Sequence, residues 1–283
     1  MLQKQPLIKQ GWLSVFIFLV AYVLLLISSG VVLQFIAFAT SNENTVPNFY
    51  SSIFLNFLLS VILVFVFTKL INRSSLSVLG LHWKTSAKER SIGFITGIFL
   101  SCCIATVLWL LHLVQWFTHE VDAAGLAFAF GLMLIVAIGE ELVFRGYLLG
   151  NMMQSTSKEA ALVFSALVFA VLHSLNPDFN LTAFINIFLA GLLLGINFIF
   201  TRNLWFGILL HYNWNFFQGS VLGFPVSGLQ LPSLLQQNSS GSVLLTGGRF
   251  GLEASWLTTF VFTAAIFILY TLFIKKYKPL PGI

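Results

Sequence analysis

Charge is what this chain has least of. Only 8% of its 283 residues are Asp, Glu, Lys or Arg while 58% are hydrophobic, and soluble domains carry about 25% charged residues. A water-soluble globular protein is therefore excluded, and an integral membrane protein is expected. Cysteine is scarce as well: Cys102 and Cys103 are neighbours in an apolar run, unable to form an ordinary structural disulfide with each other and without metal-motif spacing. Packing is their expected role. Neither a His-Glu-x-x-His zinc motif nor a Gly-x-Ser-x-Gly serine elbow occurs, which removes two common protease types. Gly247 to Glu253 holds glycines but no P-loop lysine, so it reads as an external turn. No internal repeat and no pair of broken helices is apparent, which argues against a secondary transporter. No basic and aromatic pattern points to nucleic acid.

What the chain does have is long apolar runs. Residues 12–38, 50–70, 91–117 and 123–152 form the first four, each reaching the roughly 20 residues that span a bilayer. The polar stretch from Ser41 to Pro47 separates the first two. A fifth helix follows Lys158-Glu159 and runs to His173, where Asn176-Pro177-Asp178 stops it, since proline cannot continue the hydrogen-bond ladder. The sixth covers 181–200, with Gly191 and Gly195 as a small-residue face for close packing. A seventh begins near Asn203, a Gly- and Ser-rich connection covers 219–253, and an eighth runs over 254–274. The expectation is an all-α, polytopic single transmembrane domain over 1–283, with about eight transmembrane helices. The first run is too long for a cleaved h-region of about 7–15 residues, so it is read as an anchor.

Eight spans put both termini on one side, together with Lys4, Lys9, Lys69, Arg73, Lys84, Lys88, Arg90, Lys158, Arg202, Lys275, Lys276 and Lys278. Opposite them fall Arg249 and the acids Glu43, Glu120, Asp122, Asp178 and Glu253. The positive-inside rule makes the termini cytoplasmic. The net charge of +5 is then a topology signal, with attraction to the anionic lipid bilayer as a by-product.

Against this background Gly139-Glu140-Glu141-Leu142-Val143-Phe144-Arg145-Gly146 stands out. Charge at membrane depth costs several kcal/mol, roughly 3 per residue on insertion scales, so it is usually paired and functional. Glu141 and Arg145 are four apart with the acid first, the favourable order for an ion pair. Glu140 lies about 140° around the axis from Arg145 and is left as an unpaired carboxylate in low dielectric, suited to general-base chemistry. Phe169-Ala170-Val171-Leu172-His173 closes the fifth helix, and His211 and Asn215 share one face of the seventh. Counted at about 1.5 Å per residue, His173 lies deeper than Glu140 and His211, so convergence requires a fifth helix that is tilted or that begins inside the cytoplasm near Lys158. Glu140, His173 and His211 are the right residue types for a catalytic zinc with an open water position. The same residues also allow a metal-free scheme, in which Glu140 and His173 activate water while His211 and Asn215 stabilise the oxyanion. Spacing leaves both open.

The succession Glu-Glu-x-x-x-Arg, Phe-x-x-x-His, His-x-x-x-Asn on successive membrane helices resembles the CPBP family of CAAX-prenyl endopeptidases and bacteriocin-processing or self-immunity proteins, also called Abi intramembrane proteases. The resemblance covers about Ala123 to Ser220. It implies an eight-helix fold and an intramembrane endopeptidase acting on a membrane-associated peptide or protein, in a cavity open to the cytoplasm. It also implies that Glu140 is the water-activating carboxylate, that Glu141 and Arg145 complete the first motif, and that His173, His211 and Asn215 supply the other two. The family has been read as metalloproteases and as metal-independent glutamate proteases, so zinc stays open. A bacterial plasma membrane location is expected. A non-proteolytic self-immunity or scaffold protein is the alternative, and the composition leaves the oligomeric state undetermined.

Overall fold

A computed structural model describes residues 5–39, 49–83 and 87–277. Lys4, the turn from Ser41 to Pro47 with Glu43, Lys84 and Lys278 lie outside the described residues. The long helices are α1 (Gly11–Ala39), α2 (Phe49–Val66), α3 (Ala87–Leu110), α4 (Ala123–Glu141), α5 (Lys158–His173), α6 (Leu181–Gly195), α7 (Trp205–Phe216) and α8 (Trp256–Lys276). Helix α2 continues as a π-helical turn, Phe67–Ile71, and α4 runs through a π-helical stretch, Leu142–Leu149, to Met152. Polar caps set several starts: Asp122, Ser157, Asn180 and Ser255 each accept a hydrogen bond from a first-turn N–H.

Among the described residues, six stretches are long and apolar enough to cross a membrane: Gly11–Phe35, Ser51–Ile71, Ala87–Leu110, Ala123–Met152, Leu181–Thr201 and Trp256–Lys276. Helix α5 has 16 residues, about 24 Å, less than the roughly 30 Å hydrocarbon core. Helix α7 is shorter still and is extended by a π-helical turn, Phe217–Val221. The protein is thus a mostly helical, multi-pass membrane protein, with six helices of spanning length among the described residues.

The third helix stops at Leu110, earlier than its apolar run suggests, because Val114–Thr118 leaves it as a strand, β1. It pairs antiparallel with β2 (Leu235–Ser239), Val114 opposite Ser239. The segment Val-Gln-Trp-Phe-Thr is β-branched and aromatic, which suits a half-buried strand. This small sheet is the departure from an all-helical chain.

Both described chain ends meet at one end of the bundle. Leu7 N–H bonds Ile71 O at 2.9 Å, Trp12 N–H bonds Ser155 Oγ at 3.0 Å, and Lys276 Nζ pairs with Glu89 Oε1 at 2.6 Å. Leu204 N–H joins them by bonding Gly80 O at 2.9 Å. Just above this end sits a packed aromatic layer. Phe18 stacks on Tyr147 at 4.2 Å and meets Phe67 edge-on at 5.2 Å, while Ser14 Oγ bonds Tyr147 Oη at 2.9 Å. Helices α5 and α6 approach closely because Gly191 has no side chain: a Cβ there would stand 2.7 Å from Ala166 Cα. Gly97 does the same for α3 against α7, where a Cβ would meet Leu210 O at 2.5 Å.

Candidate active site

The motif helix widens into its π-helical stretch immediately after the two glutamates. Such turns give up regular hydrogen bonding to re-aim side chains and recur at functional sites. Here they leave Glu140 and Glu141 facing different partners. Glu141 Oε1 pairs with Arg145 Nη1 at 2.8 Å, and both side chains are fully buried. Arg145 Nη2 donates to Gly191 O at 3.0 Å, and its guanidinium lies 4.6 Å over the Phe169 ring. The brace thus locks α4 to α5 and α6 together. Glu141 does a second thing that spacing did not reveal: its Oε1 also lies 3.3 Å from His211 Nδ1.

Each histidine is oriented from behind. His173 Nδ1 faces Phe169 O at 2.7 Å and His211 Nδ1 faces Glu141. Both acceptors lack a proton, so each Nδ1 carries one and each Nε2 is the working atom. These atoms converge on Glu140 Oε2, at 3.8 Å for His173 and 3.9 Å for His211. The depth mismatch disappears because α5 starts at the bundle end and its last residue reaches Glu140. Phe169 itself packs against both imidazoles, with ring centroids 4.3 Å from His173 and 6.3 Å from His211.

The separations decide what the centre can do. Hydrogen bonds need about 2.7–3.2 Å, so Glu140 does not bond either ring directly, and its buried Oε2 has no hydrogen-bond partner. Acceptor atoms gathered around one point call for a donor between them, and a water placed there can donate to two of these three.

The donor types also suit zinc, since metal-bound imidazoles hold their second N–H against an oxygen as these do. The spacing does not. Ligands on a tetrahedral zinc at about 2.0–2.2 Å stand roughly 3.3–3.6 Å apart, closer than the separations found. Among the described residues no group of three His, Cys, Asp or Glu is arranged to hold a metal ion.

Glu140, His173, His211 and Asn215 line one cavity of about 650 Å³. Its remaining walls include residues that the motifs did not indicate: Tyr22 of α1, Ser52, Asn56 and Ser60 of α2, and Glu253. The α2 set had a legible signal, three polar residues four apart on one face of an apolar helix. Glu253 had none. Its connection folds back onto α7, so its carboxylate accepts from Ser227 N–H at 2.5 Å and from Trp214 Nε1–H at 3.4 Å. Burial pushes its pKa up, and those hydrogen bonds pull it partly back. His82, His112 and His119 stay outside the cavity lining.

With this geometry in hand, the comparison with known families is direct: residues 122–217 match the family model for Type II CAAX prenyl endopeptidase Rce1-like. The matched segment is thus similar to the CPBP/CAAX protease family. At family level this supports a CAAX-type intramembrane protease. No curated protein and no solved structure matches the chain. The matched segment begins at the cap of α4 and ends one residue past α7, so it carries all six motif residues. Tyr22, Asn56, Ser60 and Glu253 lie outside it.

Proposed function

We propose that the protein is an intramembrane endopeptidase that uses a glutamate-activated water. The observation that carries the proposal is the convergence of Glu140 Oε2 with His173 Nε2 and His211 Nε2. A water held there gives a proton to Glu140 as its oxygen attacks the scissile carbonyl, with His173 accepting its second hydrogen. The tetrahedral oxyanion is met by the Asn215 amide N–H, while His211, held from behind by Glu141, keeps its Nε2 beside the attacking water. Glu140 then returns the proton to the leaving amine. Replacing Glu140 by Gln removes the base, and turnover of a membrane peptide should fall about 10²–10⁴-fold while the fold persists. Retained turnover refutes the scheme.

The zinc reading keeps Glu140, His173 and His211 as its donors and requires them to close by a few tenths of an ångström. Metal content of the purified protein and activity after chelation separate the two. A self-immunity or scaffold role would use the same cavity without cleavage, and a cellular phenotype that survives Glu140→Gln would favour it. The substrate is proposed as a membrane-associated peptide or protein, with no commitment to a prenyl group. We also propose that the two shorter helices complete eight spans in a bacterial plasma membrane with both termini cytoplasmic, an orientation that the charge distribution supports.

A further inference from the structure

We infer that the end of the bundle holding the chain termini carries a second site, separate from the catalytic cavity, that binds a phosphate group on an anionic ligand. The site is a cavity of about 470 Å³, within the roughly 300–1,000 Å³ of small-molecule pockets. Three parts of the chain wall it: the segment from Gln5 into the start of α1, residues 72–74 after the π-helical end of α2, and Asn151 with Gln154 at the end of the α4 run. Leu7 N–H to Ile71 O at 2.9 Å and Trp12 N–H to Ser155 Oγ at 3.0 Å hold the first wall against the other two. The approach is closest at Gly11, where a Cβ would overlap Asn151 O.

The charge of this cavity has one sign. Lys9 and Arg73 line it, and among the described residues no carboxylate shares it. Arg73 gives one N–H to Gln5 O at 3.0 Å, which leaves most of its five-donor fork for a ligand. Gly11 opens α1, a helix of 29 residues, so the positive end of that helix dipole faces the same space. The floor is a hydrogen-bonded network whose remaining capacity includes donors. Ser14 Oγ donates to Asn72 Oδ1 at 2.8 Å, and Asn72 Nδ2 donates to Asn151 Oδ1 at 2.8 Å. Gln154 Nε2 also donates to Asn151 Oδ1, at 3.3 Å, which fills the two lone pairs of that oxygen. Asn151 is nine-tenths buried and gives one amide hydrogen to Tyr147 O at 2.7 Å. Among the described residues its second hydrogen, like that of Gln154, has no acceptor. Cations and donors thus converge on a space without a carboxylate, the complement of phosphate oxygens.

Position 73 adds a backbone observation. Asn72 N–H bonds Phe67 O and Ser74 N–H bonds Thr68 O, closing the helix end around a residue with φ of 52°. Glycine usually fills that left-handed place. An arginine held there in spite of the strain brings a guanidinium to the cavity. Two sources can supply the phosphate, a lipid headgroup or a soluble phosphate ester, and the surroundings favour the lipid. Leu7 and Trp12, 58% and 53% exposed, adjoin lining residues, and an exposed tryptophan at a span end marks the membrane interface. Basic pockets between helices at such an interface are where anionic headgroups bind.

The test uses the full-length protein purified in a neutral maltoside detergent. Native mass spectrometry counts the phosphatidylglycerol and phosphatidylcholine it retains, and equilibrium dialysis measures radiolabelled inorganic phosphate. Lys9→Gln and Arg73→Gln should each weaken binding about fivefold, and together about 25-fold, the size expected for one cation and for two near a headgroup. Arg73→Gly removes the cation and relieves the left-handed backbone, so it should lose binding with no fall in the thermal stability of the ligand-free protein. That separates a binding arginine from a structural one. Preferential retention of phosphatidylglycerol assigns the phosphate to a headgroup, and binding of inorganic phosphate without it assigns a soluble ester; either supports the site. Equal retention of the two lipids together with no phosphate binding, or binding that the double variant leaves unchanged, overturns it. Glu140→Gln should bind as wild type does, so the outcome stands apart from the peptidase reading.

Discussion

Replacing Glu141 by Gln should destabilise the protein far more than the neighbouring Glu140→Gln, although the two residues are adjacent and chemically identical. Glu141 is fully buried and is the partner of a fully buried Arg145 at 2.8 Å. Removing one member of such a pair leaves an uncompensated charge in low dielectric, at a cost of about 3–5 kcal/mol. Glu140 has 27% of its side chain exposed to the cavity and Arg145 keeps its ion pair with Glu141 when Glu140 is neutralised, so the change leaves no charge stranded. Arg145 retains Gly191 O at 3.0 Å and the Phe169 face in the Glu141 variant, which places the expected loss nearer about 3 kcal/mol than 5. Unfolding in mixed micelles titrated with denaturing detergent measures both variants against wild type. The double variant Glu141→Leu with Arg145→Met removes both charges and should recover much of the loss, yet stay poorly active because His211 loses its Nδ1 acceptor. Equal stability for Glu140→Gln and Glu141→Gln, or a double variant no better than the single, would refute the assignment of one glutamate to structure and the other to chemistry.

Asn215→Ala should lower kcat about 10²–10³-fold with little change in KM, the pattern for a donor that acts on the oxyanion; steady-state kinetics on a fluorogenic membrane peptide reads the split. Gly191→Ala puts a Cβ 2.7 Å from Ala166 Cα and should cost about 1–3 kcal/mol in the same unfolding titration. Glu253 has its pKa raised by burial, so the folded state binds its proton more tightly than the unfolded chain. Its contribution is present at low pH and is lost as pH rises from the ordinary carboxylate range, about pH 4, through the raised value. Glu253→Gln should flatten that slope in unfolding curves recorded across pH, and an unchanged slope would show that the carboxylate is not its source. Turnover that survives exhaustive chelation supports the metal-free scheme, whereas loss restored by zinc reverses it.

The membrane class, the helix succession and the composition of the site are legible in the residues themselves, because each rests on local physics. Apolar runs of spanning length, the proline break after His173 and the caps act over a few residues, and the Glu141 to Arg145 spacing is a property of one helix. The motif residues are recognisable for the same reason: ionisable groups are rare enough in an apolar chain to stand out. Three features were not local. The strand after Leu110 needed its partner at Leu235–Ser239, more than a hundred residues away. The second task of Glu141, holding His211, needed the seventh helix to lie against the fourth. Glu253 read as an external turn until its connection folded into the cavity. Sequence alone determined which groups are available and in what order they enter the membrane. The tertiary structure decided that two histidines from separate helices meet around one carboxylate oxygen and that loops at the end opposite the chain termini help line their cavity. Those outcomes depend on distances between helices, which the packing of Gly191, Gly97 and the aromatic layer sets.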